Sequence, residues 1–471
     1  MSDIEEHRKK IEEVTLEMIK LLKTRTDIAK QIGDAKASLG MTVTDEERED
    51  ALRKQVTKLS KEINLDKSTA LKFLNFLFNE SVKVQSDNKQ TYLSIFLKAK
   101  ELEEQGKEII HLEVGEPDFK PPEEVKTALA EVYDKGYGKY GSAKGITELR
   151  DEISLHEDKL LLGLGSGAEI EVENIMVCPG ARFAVYLAIT TLLNPSDEII
   201  VIEPAWPAYK DCALNAGIKV RTIKTTLETK WEPSIDQIKN AINENTKMIV
   251  LNYPNNPTGK YFPEKIQDSI IEIVKKHDLY VLSDEIYSEY AEHTNIPTSG
   301  VSFKSVLEYN YQKSIITKSF SKSYAMTGYR IGYAVAEPSI IDKMSKLQAL
   351  SLTNVSEPIQ YVALQALKSE EAVAENSKII KSRLDALVKS AKDIGLEFIE
   401  PDGAMYLFAK TKYKNFDATK FSEKLLERGV AIAPGEGFGD YKEFFRITAI
   451  DETKLKEGMT ILDTMLKESY G

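Results

Sequence analysis

The sequence predicts two fold classes in one chain, an all-α N-terminal domain of three helices and a following α/β region. In residues 1–87, apolar residues recur at helical spacing without strand-like alternation. Beyond residue 88, short apolar runs such as EIIVIEP, MIVLNYP and YVLSDE alternate with helical segments, which is typical of βα units around a mainly parallel sheet. Towards the C-terminus the pattern becomes mixed, which predicts a smaller α+β domain.

Domain boundaries follow from these changes of pattern. The helical domain is expected at 1–87 and the α/β region at 88–471. Within the latter we expect a large domain at about 130–365 and a small domain formed by 91–129 and 366–471. A chain of 471 residues, of which 42% are hydrophobic, is long enough for domains of these sizes.

Each helix of the first domain has sequence signals at its ends. The first helix is expected to end at Gly40. Thr44 is the predicted N-cap of the second helix, with Glu47 three residues later. The third helix is expected to begin after Asp66 and to lead into the polar linker QSDNKQ (85–90).

Composition excludes several classes of function. The net charge of −12 and the pI near 5.3 argue against nucleic acid or an anionic membrane as a partner. No apolar run approaches the roughly 20 residues of a membrane span, and the N-terminus MSDIEEHRKK lacks the apolar segment of a signal peptide. The two cysteines and five scattered histidines lack the spacing of metal ligands, so we expect no metal. A cytoplasmic enzyme acting on small molecules is therefore predicted.

Charged residues interrupt the apolar stripe of the first helix. Arg25 lies on the same face as Met18 and Ile32. Lys36 follows 11 residues later, roughly 16 Å along the axis, so both side chains can reach one small ligand. Arg8 precedes Arg25 by about 25 Å and can serve such a site only in a partner subunit. These residues alone are also compatible with a dimerisation module that carries charges on its surface.

Residues 4–85 resemble the all-helical class of chorismate mutases. Eight polar residues fall where that family places ligand contacts: Arg8, Arg25, Lys36, Asp45, Arg48, Glu49, Ser81 and Gln85. The resemblance implies an intertwined homodimer in which arginines bind the two carboxylates of chorismate, among them Arg8 of the partner subunit. It further implies that Lys36 and Gln85 donate to the ether oxygen while Glu49 holds the ring hydroxyl. Chorismate to prephenate is a pericyclic rearrangement, so the protein needs only to hold the substrate and stabilise developing charge.

Seven motifs occur in order between residues 139 and 448: KYGSAKGITELR, CPGARFAVY, PAWPAY, NYPNNPTGK, SDEIY, SFSKSYAMTGYRIGY and FFRIT. In this order and spacing they resemble the class I aminotransferases of fold type I across about residues 91–471. That family uses pyridoxal 5′-phosphate, and the resemblance implies this cofactor, a large mainly parallel-sheet domain, a small α+β domain and a homodimer.

The resemblance also assigns roles to individual residues. Lys322 is the lysine that binds the cofactor's aldehyde and shuttles a proton, and Asp284 faces the pyridine nitrogen. Other implied cofactor contacts are Tyr287 and Asn256 at the phenolic oxygen, Trp206 stacked on the ring, the helix start at Gly180, Ala181 and Arg182, and Ser319, Arg330 and a partner's Tyr140 at the phosphate. Arg446, Gly115 and Asn256 are the implied contacts of the substrate's α-carboxylate.

Arg182 has three possible roles: a contact of the substrate, a contact of the cofactor phosphate or of the surrounding structure, or a solvated side chain without a function. In the branch of the family that accepts acidic substrates, a basic residue at this position binds the carboxylate farther from the amino group. Prephenate, the product of the mutase, has two carboxylates, as do oxaloacetate and 2-oxoglutarate. The sequence therefore favours prephenate to arogenate, oxaloacetate to aspartate, or both, with glutamate or aspartate as amino donor.

Two alternatives remain open. The aminotransferase could act on aromatic keto acids such as phenylpyruvate and 4-hydroxyphenylpyruvate. It could also be a plain aspartate aminotransferase whose helical module is non-catalytic and regulates or dimerises the protein.

Overall fold

The computed structural model describes residues 2–38, 45–86, 92–163, 169–292 and 303–471. The chain divides into two compact units. The first comprises Met1–Lys89 with the short segments Asn194–Ser196 and Gly217–Lys219, and the second contains the remainder. None of the helices in the described ranges has an apolar stretch long enough to cross a membrane.

The first unit contains the three predicted helices, α1 (Ser2–Ser38), α2 (Glu46–Glu62) and α3 (Lys67–Ser86). Both α1 and α2 pack on α3, and this contact buries Ala29 of α1 with Leu71 and Leu74 of α3. The apolar residues in the N-terminal half of α1 are exposed, as Ile11 (68%) and Val14 (59%) illustrate.

The start of α2 differs from the prediction. Asp45 is its N-cap, with the side-chain oxygen Oδ1 accepting a hydrogen bond from the Arg48 backbone N–H at 3.1 Å. Thr44, the predicted cap, lies outside the described residues. Aspartate and threonine are both good caps, and adjacent candidates cannot be separated by residue preference alone.

The second unit is an α/β structure with thirteen strands and thirteen helices in the described residues. The strands are β1 (Ile110–His111), β2 (Ile175–Cys178), β3 (Glu198–Glu203), β4 (Lys219–Lys224), β5 (Thr246–Asn252), β6 (Tyr280–Asp284), β7 (Ser314–Ser319), β8 (Gly332–Ala336), β9 (Glu397–Phe398), β10 (Tyr406–Lys410), β11 (Val430–Ala431), β12 (Ala433–Pro434) and β13 (Phe444–Thr448). The helices are α4 (Tyr92–Glu104), α5 (Glu123–Asp134), α6 (Thr147–Gly163), α7 (Ala181–Leu192), α8 (Ala208–Asn215), α9 (Ile235–Ala241), α10 (Glu264–Lys276), α11 (Ser288–Glu292), α12 (Pro338–Leu352), α13 (Glu357–Leu367), α14 (Glu370–Asp393), α15 (Ala418–Glu427) and α16 (Glu452–Tyr470).

The large sheet has seven strands in the order β2-β8-β7-β6-β5-β3-β4. Its centre, β3-β5-β6-β7, is parallel, while β8 runs antiparallel to both of its neighbours. The central strands are buried along nearly their whole length, as expected for parallel strands covered on both faces. The predicted mainly parallel sheet is therefore confirmed.

The small domain is built on the antiparallel sheet β12-β13-β10-β9 and the pair β1-β11. Its core combines these strands with α14, α15 and α16. The predicted division near 129/130 falls inside α5. Val125 and Ala128 of that helix pack with Leu149 and Val362 in the core of the large domain.

Three neighbouring parallel strands end at the same edge of the large sheet. Asn252, Asp284 and Ser319 are the last residues of β5, β6 and β7. In open α/β sheets, ligands bind outside the carboxyl ends of the strands, so the fold itself predicts where a site should lie.

Candidate active site

A cavity of about 260 Å³ lies at this edge of the sheet. Eleven of the residues predicted from the sequence line it: Gly115, Ala181, Arg182, Trp206, Asn256, Asp284, Tyr287, Ser319, Lys322, Arg330 and Arg446. Gly180 is in close contact with the guanidinium of Arg330. Tyr140 does not line the cavity and is 89% exposed. Residues separated by more than 300 positions in the sequence thus meet around one small volume.

Lys322 occupies the loop that follows β7. Its Nζ donates a hydrogen bond to the Gly115 carbonyl oxygen and lies 6.0 Å from the centre of the Tyr287 ring. The loop is fixed from α14, since Asn376 Nδ2 donates to the Ser323 carbonyl at 2.8 Å. The Lys322 amine is therefore held at the cavity by a loop that a hydrogen bond from α14 fixes.

Asp284 is a buried carboxylate at the end of β6. Its Oδ2 accepts a hydrogen bond from the Tyr209 hydroxyl at 2.5 Å and its Oδ1 one from the Thr317 hydroxyl at 3.2 Å. Burial raises the pKa of Asp284 to about 6, and these hydrogen bonds oppose the rise. The carboxylate is oriented by two donors and is suited to pair with a cationic nitrogen in the cavity.

An anion cradle lies at the start of α7. Gly180 has φ 84° and ψ 160°, and a Cβ there would lie 2.8 Å from Arg330 Nη2. Arg330 is oriented by a hydrogen bond from its Nη1 to the Thr327 carbonyl at 2.8 Å. Ser319 and Ser321 line the same part of the cavity, with their hydroxyls 2.9 Å apart. A helix N-terminus, an arginine and two hydroxyls together form a site for a phosphate dianion.

Arg446 is an almost fully buried guanidinium (3% exposed) on β13. Its Nη1 donates to Asn256 Oδ1 at 2.8 Å and its Nη2 to the Glu113 carbonyl. The rings of Tyr406 and Phe438 lie on either side, 4.3 and 5.1 Å from its Cζ. The buried Nε has no hydrogen-bond partner among the described residues. A buried, incompletely paired guanidinium facing a cavity is suited to bind a carboxylate.

Arg182 projects from the first turn of α7. Its Cζ lies 4.7 Å from the centre of the Trp206 ring, a cation–π contact. It is also near Asp211. Burial raises the pKa of Asp211, and the positive charges of Lys210 and Arg182 oppose this rise. The cavity therefore contains a third arginine besides Arg330 and Arg446, and this one contacts an aromatic ring.

Four of the site residues that were not predicted from the sequence contact or complete the groups described above. Tyr209 and Thr317 hold Asp284, Ser321 belongs to the anion cradle, and Tyr406 lies against Arg446. Tyr209 and Ser321 are part of motifs quoted above, three residues after Trp206 and one before Lys322. Tyr406 is outside all seven motifs, so no local signal marks it.

In the first unit, Arg25 and Ser81 of the predicted residues are in contact. Arg25 donates hydrogen bonds to the Ser81 hydroxyl and, at 2.6 Å, to the Leu77 carbonyl, and burial lowers the pKa of its guanidinium. Lys36 and Glu49 are half-buried, while Arg8 and Arg48 are exposed. Asp45 caps α2. The side chain of Gln85 lies outside the described residues.

Comparisons with known proteins confirm both resemblances. The family model "Aminotransferase class I and II" matches residues 107–462, and "Chorismate mutase type II" matches residues 7–86. The aspartate aminotransferase of Pyrococcus horikoshii is 35% identical over 382 residues, covering 79% of this chain and 93% of that protein. The aspartate/prephenate aminotransferase of Thermus thermophilus is 31% identical over 383 residues, covering 80% and 96%.

The fold has solved counterparts. The crystal structure of the aspartate aminotransferase of Thermotoga maritima superposes with a TM-score of 0.74 at 31% identity, covering 81% of this chain and 98% of that one. The chain therefore belongs to the class I and II aminotransferases and has a type II chorismate mutase domain joined to it at residues 7–86.

Proposed function

We propose that the two domains catalyse consecutive reactions. The helical domain converts chorismate to prephenate. The aminotransferase then transaminates a keto acid with two carboxylates, prephenate to arogenate, oxaloacetate to aspartate, or both, with glutamate or aspartate as donor. The observation that carries this proposal is the presence of two arginines besides Arg330 of the anion cradle, Arg182 and Arg446, in the cavity that also contains Lys322. Two fixed cations suit two carboxylates.

The residues present fit pyridoxal phosphate, on which this family of aminotransferases depends. The cradle of Gly180, Ser319 and Arg330 would hold its phosphate, and the cradle has room only for glycine at position 180. Asp284 would face the pyridine nitrogen, and Trp206 would stack on the ring. When bound, the pyridinium ring supplies an electron sink for the electron pair left on the substrate's α-carbon.

The chain's own groups then have distinct tasks. Arg446 binds the α-carboxylate and so orients the substrate's α-carbon towards Lys322. The Lys322 amine takes the proton from that carbon. The positive charge on the pyridine nitrogen would keep Asp284 ionised, and the carboxylate would stabilise that charge in turn. Arg182 binds the distal carboxylate, and its stacking on Trp206 fixes the guanidinium plane.

In the helical domain, the proposed site is formed by residues of one chain together with Arg8 of the partner subunit; the residues of the one chain are Arg25, Lys36, Asp45, Arg48, Glu49, Ser81 and Gln85. Arg25 and Ser81 already contact each other across α1 and α3. Because Gln85 does not titrate, mutase activity should change little between pH 6 and 8. A steep loss across that range would contradict the role of Gln85.

Arg182→Ala tests the substrate class. We expect kcat/KM for prephenate and oxaloacetate to fall about 10- to 100-fold, the effect of losing a charged hydrogen bond, while phenylpyruvate changes less than about threefold. Arg182→Lys is the matched control, since it keeps the charge and should recover part of the loss. An equal loss for phenylpyruvate would assign Arg182 to the phosphate or to structure. A wild-type preference for phenylpyruvate would favour the aromatic keto acids instead.

Two lysine variants separate the activities. Lys36→Ala should abolish mutase turnover and spare transamination, because the two sites share no residue. Lys322→Ala should abolish transamination and the cofactor's visible absorbance while sparing the mutase. Wild-type protein without mutase activity would show that the helical domain is a non-catalytic module.

A further inference from the structure

Tyr406 occupies the junction of three groups that the proposed function uses. Its hydroxyl lies 2.6 Å from the hydroxyl of Tyr287, and its ring lies under the guanidinium of Arg446, 4.3 Å from Cζ to the ring centre. The side chain is 1% exposed to solvent and lines the cavity. A single residue on β10 therefore contacts both the arginine of the carboxylate site and the phenol beside Lys322.

Gly115 leaves the space that this hydroxyl occupies. A Cβ at position 115 would lie 1.9 Å from Tyr406 Oη and 2.8 Å from its Cζ. The carbonyl of the same glycine accepts the hydrogen bond of Lys322. Any side chain at 115 would displace the tyrosine, so the position of the Tyr406 hydroxyl depends directly on the backbone that contacts Lys322.

Either hydroxyl of this pair can be the donor, but a phenol has a single proton, so Tyr406 must donate to Tyr287 whenever Tyr287 donates to the cofactor's phenolic oxygen. Burial, followed by the neighbouring Tyr406, raises the pKa of Tyr287 well above its ordinary value, so Tyr287 stays a phenol and keeps a proton to donate. If Tyr406 donates to Tyr287, the Tyr287 proton is directed into the cavity. Hydrogen bonds in such a chain strengthen one another in a buried setting. The cation over the Tyr406 ring makes that phenol a better donor.

We infer that Tyr406 is a positioning residue that couples the charge at Arg446 to the hydrogen bond Tyr287 gives to the cofactor's phenolic oxygen. The inference rests on the proposed function, in which Lys322 and Tyr287 contact pyridoxal phosphate. A carboxylate bound at Arg446 neutralises the cation over the Tyr406 ring. Tyr406 then becomes a weaker donor, and the donation from Tyr287 to the cofactor weakens with it.

The consequence has a sign that can be measured. With pyridoxal phosphate bound to Lys322, a donor to the cofactor's phenolic oxygen would stabilise the deprotonated form and so lower the midpoint pH of the visible absorbance change. Loss of the Tyr406 hydroxyl therefore raises this pH. A carboxylate at Arg446 raises it as well, through the same hydroxyl.

The experiment is a pH titration of the holoenzyme's visible absorbance, with and without saturating maleate, a dicarboxylate that is not transaminated. In Tyr406→Phe without maleate, the midpoint should rise by about 0.5 to 1 pH unit, the equivalent of one hydrogen bond. Maleate should raise the wild-type midpoint and raise that of Tyr406→Phe by less than half as much. The Kd of maleate should change less than about threefold, since phenylalanine keeps the ring under Arg446.

Tyr290→Phe is the matched control. Tyr290 is also a buried tyrosine, with its ring centre 6.4 Å from that of Tyr287, but it does not line the cavity. Its substitution should leave the midpoint and the maleate effect unchanged. Gly115→Ala displaces the same hydroxyl and should also raise the midpoint, as Tyr406→Phe does. If one of the two variants folds poorly, the other still tests the inference.

Two results would overturn the inference: an unchanged midpoint in Tyr406→Phe, or a maleate shift as large as that of the wild type. A midpoint that rises equally in Tyr290→Phe would also overturn it, because the effect would then be general to the buried tyrosines. Wild-type protein that develops no visible absorbance with pyridoxal phosphate would contradict the proposed function itself, and the inference with it.

Discussion

Asp284 is a residue of the cavity whose local chemistry departs from its ordinary behaviour. The side chain is buried beneath the cavity, with Tyr209 and Thr317 as its hydrogen-bond donors. Burial disfavours the ionised form and raises the pKa to about 6. Without the cofactor, and with Lys322 nearby, the folded chain holds a proton on Asp284 up to about pH 6, whereas the unfolded chain releases it near pH 4.

Asp284→Asn should therefore stabilise the protein free of cofactor at alkaline pH. The native state binds more protons than the unfolded state between pH 4 and 6, so native stability falls as pH rises through that range. Above pH 6, burial of the ionised carboxylate destabilises the native state by on the order of 1–3 kcal/mol. Asparagine has no such charge and removes this destabilisation. Thermal melting of the cofactor-free protein should show a larger gain for the variant at pH 8 than at pH 5. An equal gain at both pH values would contradict the burial effect.

Residue roles were predictable where chemistry and motif coincide. Lys322, Asp284 and Arg446 were each predicted from a reactive or charged group in a recognisable motif, and all three line the cavity. Tyr406 was not predictable, because its partner Tyr287 is 119 residues away in sequence. A tyrosine in an apolar strand has the same local signal whether its hydroxyl faces a core or a cavity.

The start of α7 is the element on which the anion cradle depends. Gly180 has a backbone conformation, φ 84° and ψ 160°, that is essentially restricted to glycine. The first N–H groups of the helix have no partner within the helix and face the cradle. Glycine is thus required twice, for the backbone angle and for the space that Arg330 occupies.

Gly180→Ala should weaken the binding of pyridoxal phosphate. The backbone strain costs about 1–3 kcal/mol, and the new methyl group displaces the Arg330 guanidinium. We expect the Kd for the cofactor, measured by fluorescence titration, to rise about tenfold or more. Gly328→Ala is the matched control, since a Cβ there meets nothing within 4 Å and should leave the Kd unchanged. A similar loss in both variants would show that the effect is not specific to the cradle.

Elements were predictable from periodicity, and their packing partners were not. The helices of the first unit and the buried central strands followed from apolar spacing. The predicted domain division falls inside α5, because an amphipathic helix shows which face is buried but not which core receives it. Val125 and Ala128 would suit either domain, and only the fold places them in the larger one.

For the whole molecule, the question is how many chains build the mutase site. Helix α1 is continuous from Ser2 to Ser38, so Arg8 and Arg25 lie about 25 Å apart along one axis. The apolar residues around Arg8 are exposed to solvent, Ile4 by 60% and Ile11 by 68%. A second copy of the chain would bury this surface and bring its own Arg8 to the site.

Co-expression of two inactive variants tests this arrangement. Arg8→Ala and Lys36→Ala should each lack mutase activity alone. In a mixed dimer, the Arg8→Ala chain keeps its own Lys36 and receives Arg8 from its partner, so one of the two sites is complete. Random pairing makes half the dimers mixed, and the mixture should recover about a quarter of wild-type mutase activity.

The control pairs Arg25→Ala with Lys36→Ala. Both residues lie on α1 and belong to the same chain's site in this arrangement, so no combination of these chains restores a complete site and activity should remain absent. Transaminase activity should be normal in every mixture, which verifies folding and dimer yield. No recovery with Arg8→Ala, or equal recovery in the control, would contradict a site shared between subunits. The expected recovery would make dimerisation through α1 a requirement of the mutase reaction, because a lone chain cannot bring Arg8 within reach of its own Lys36.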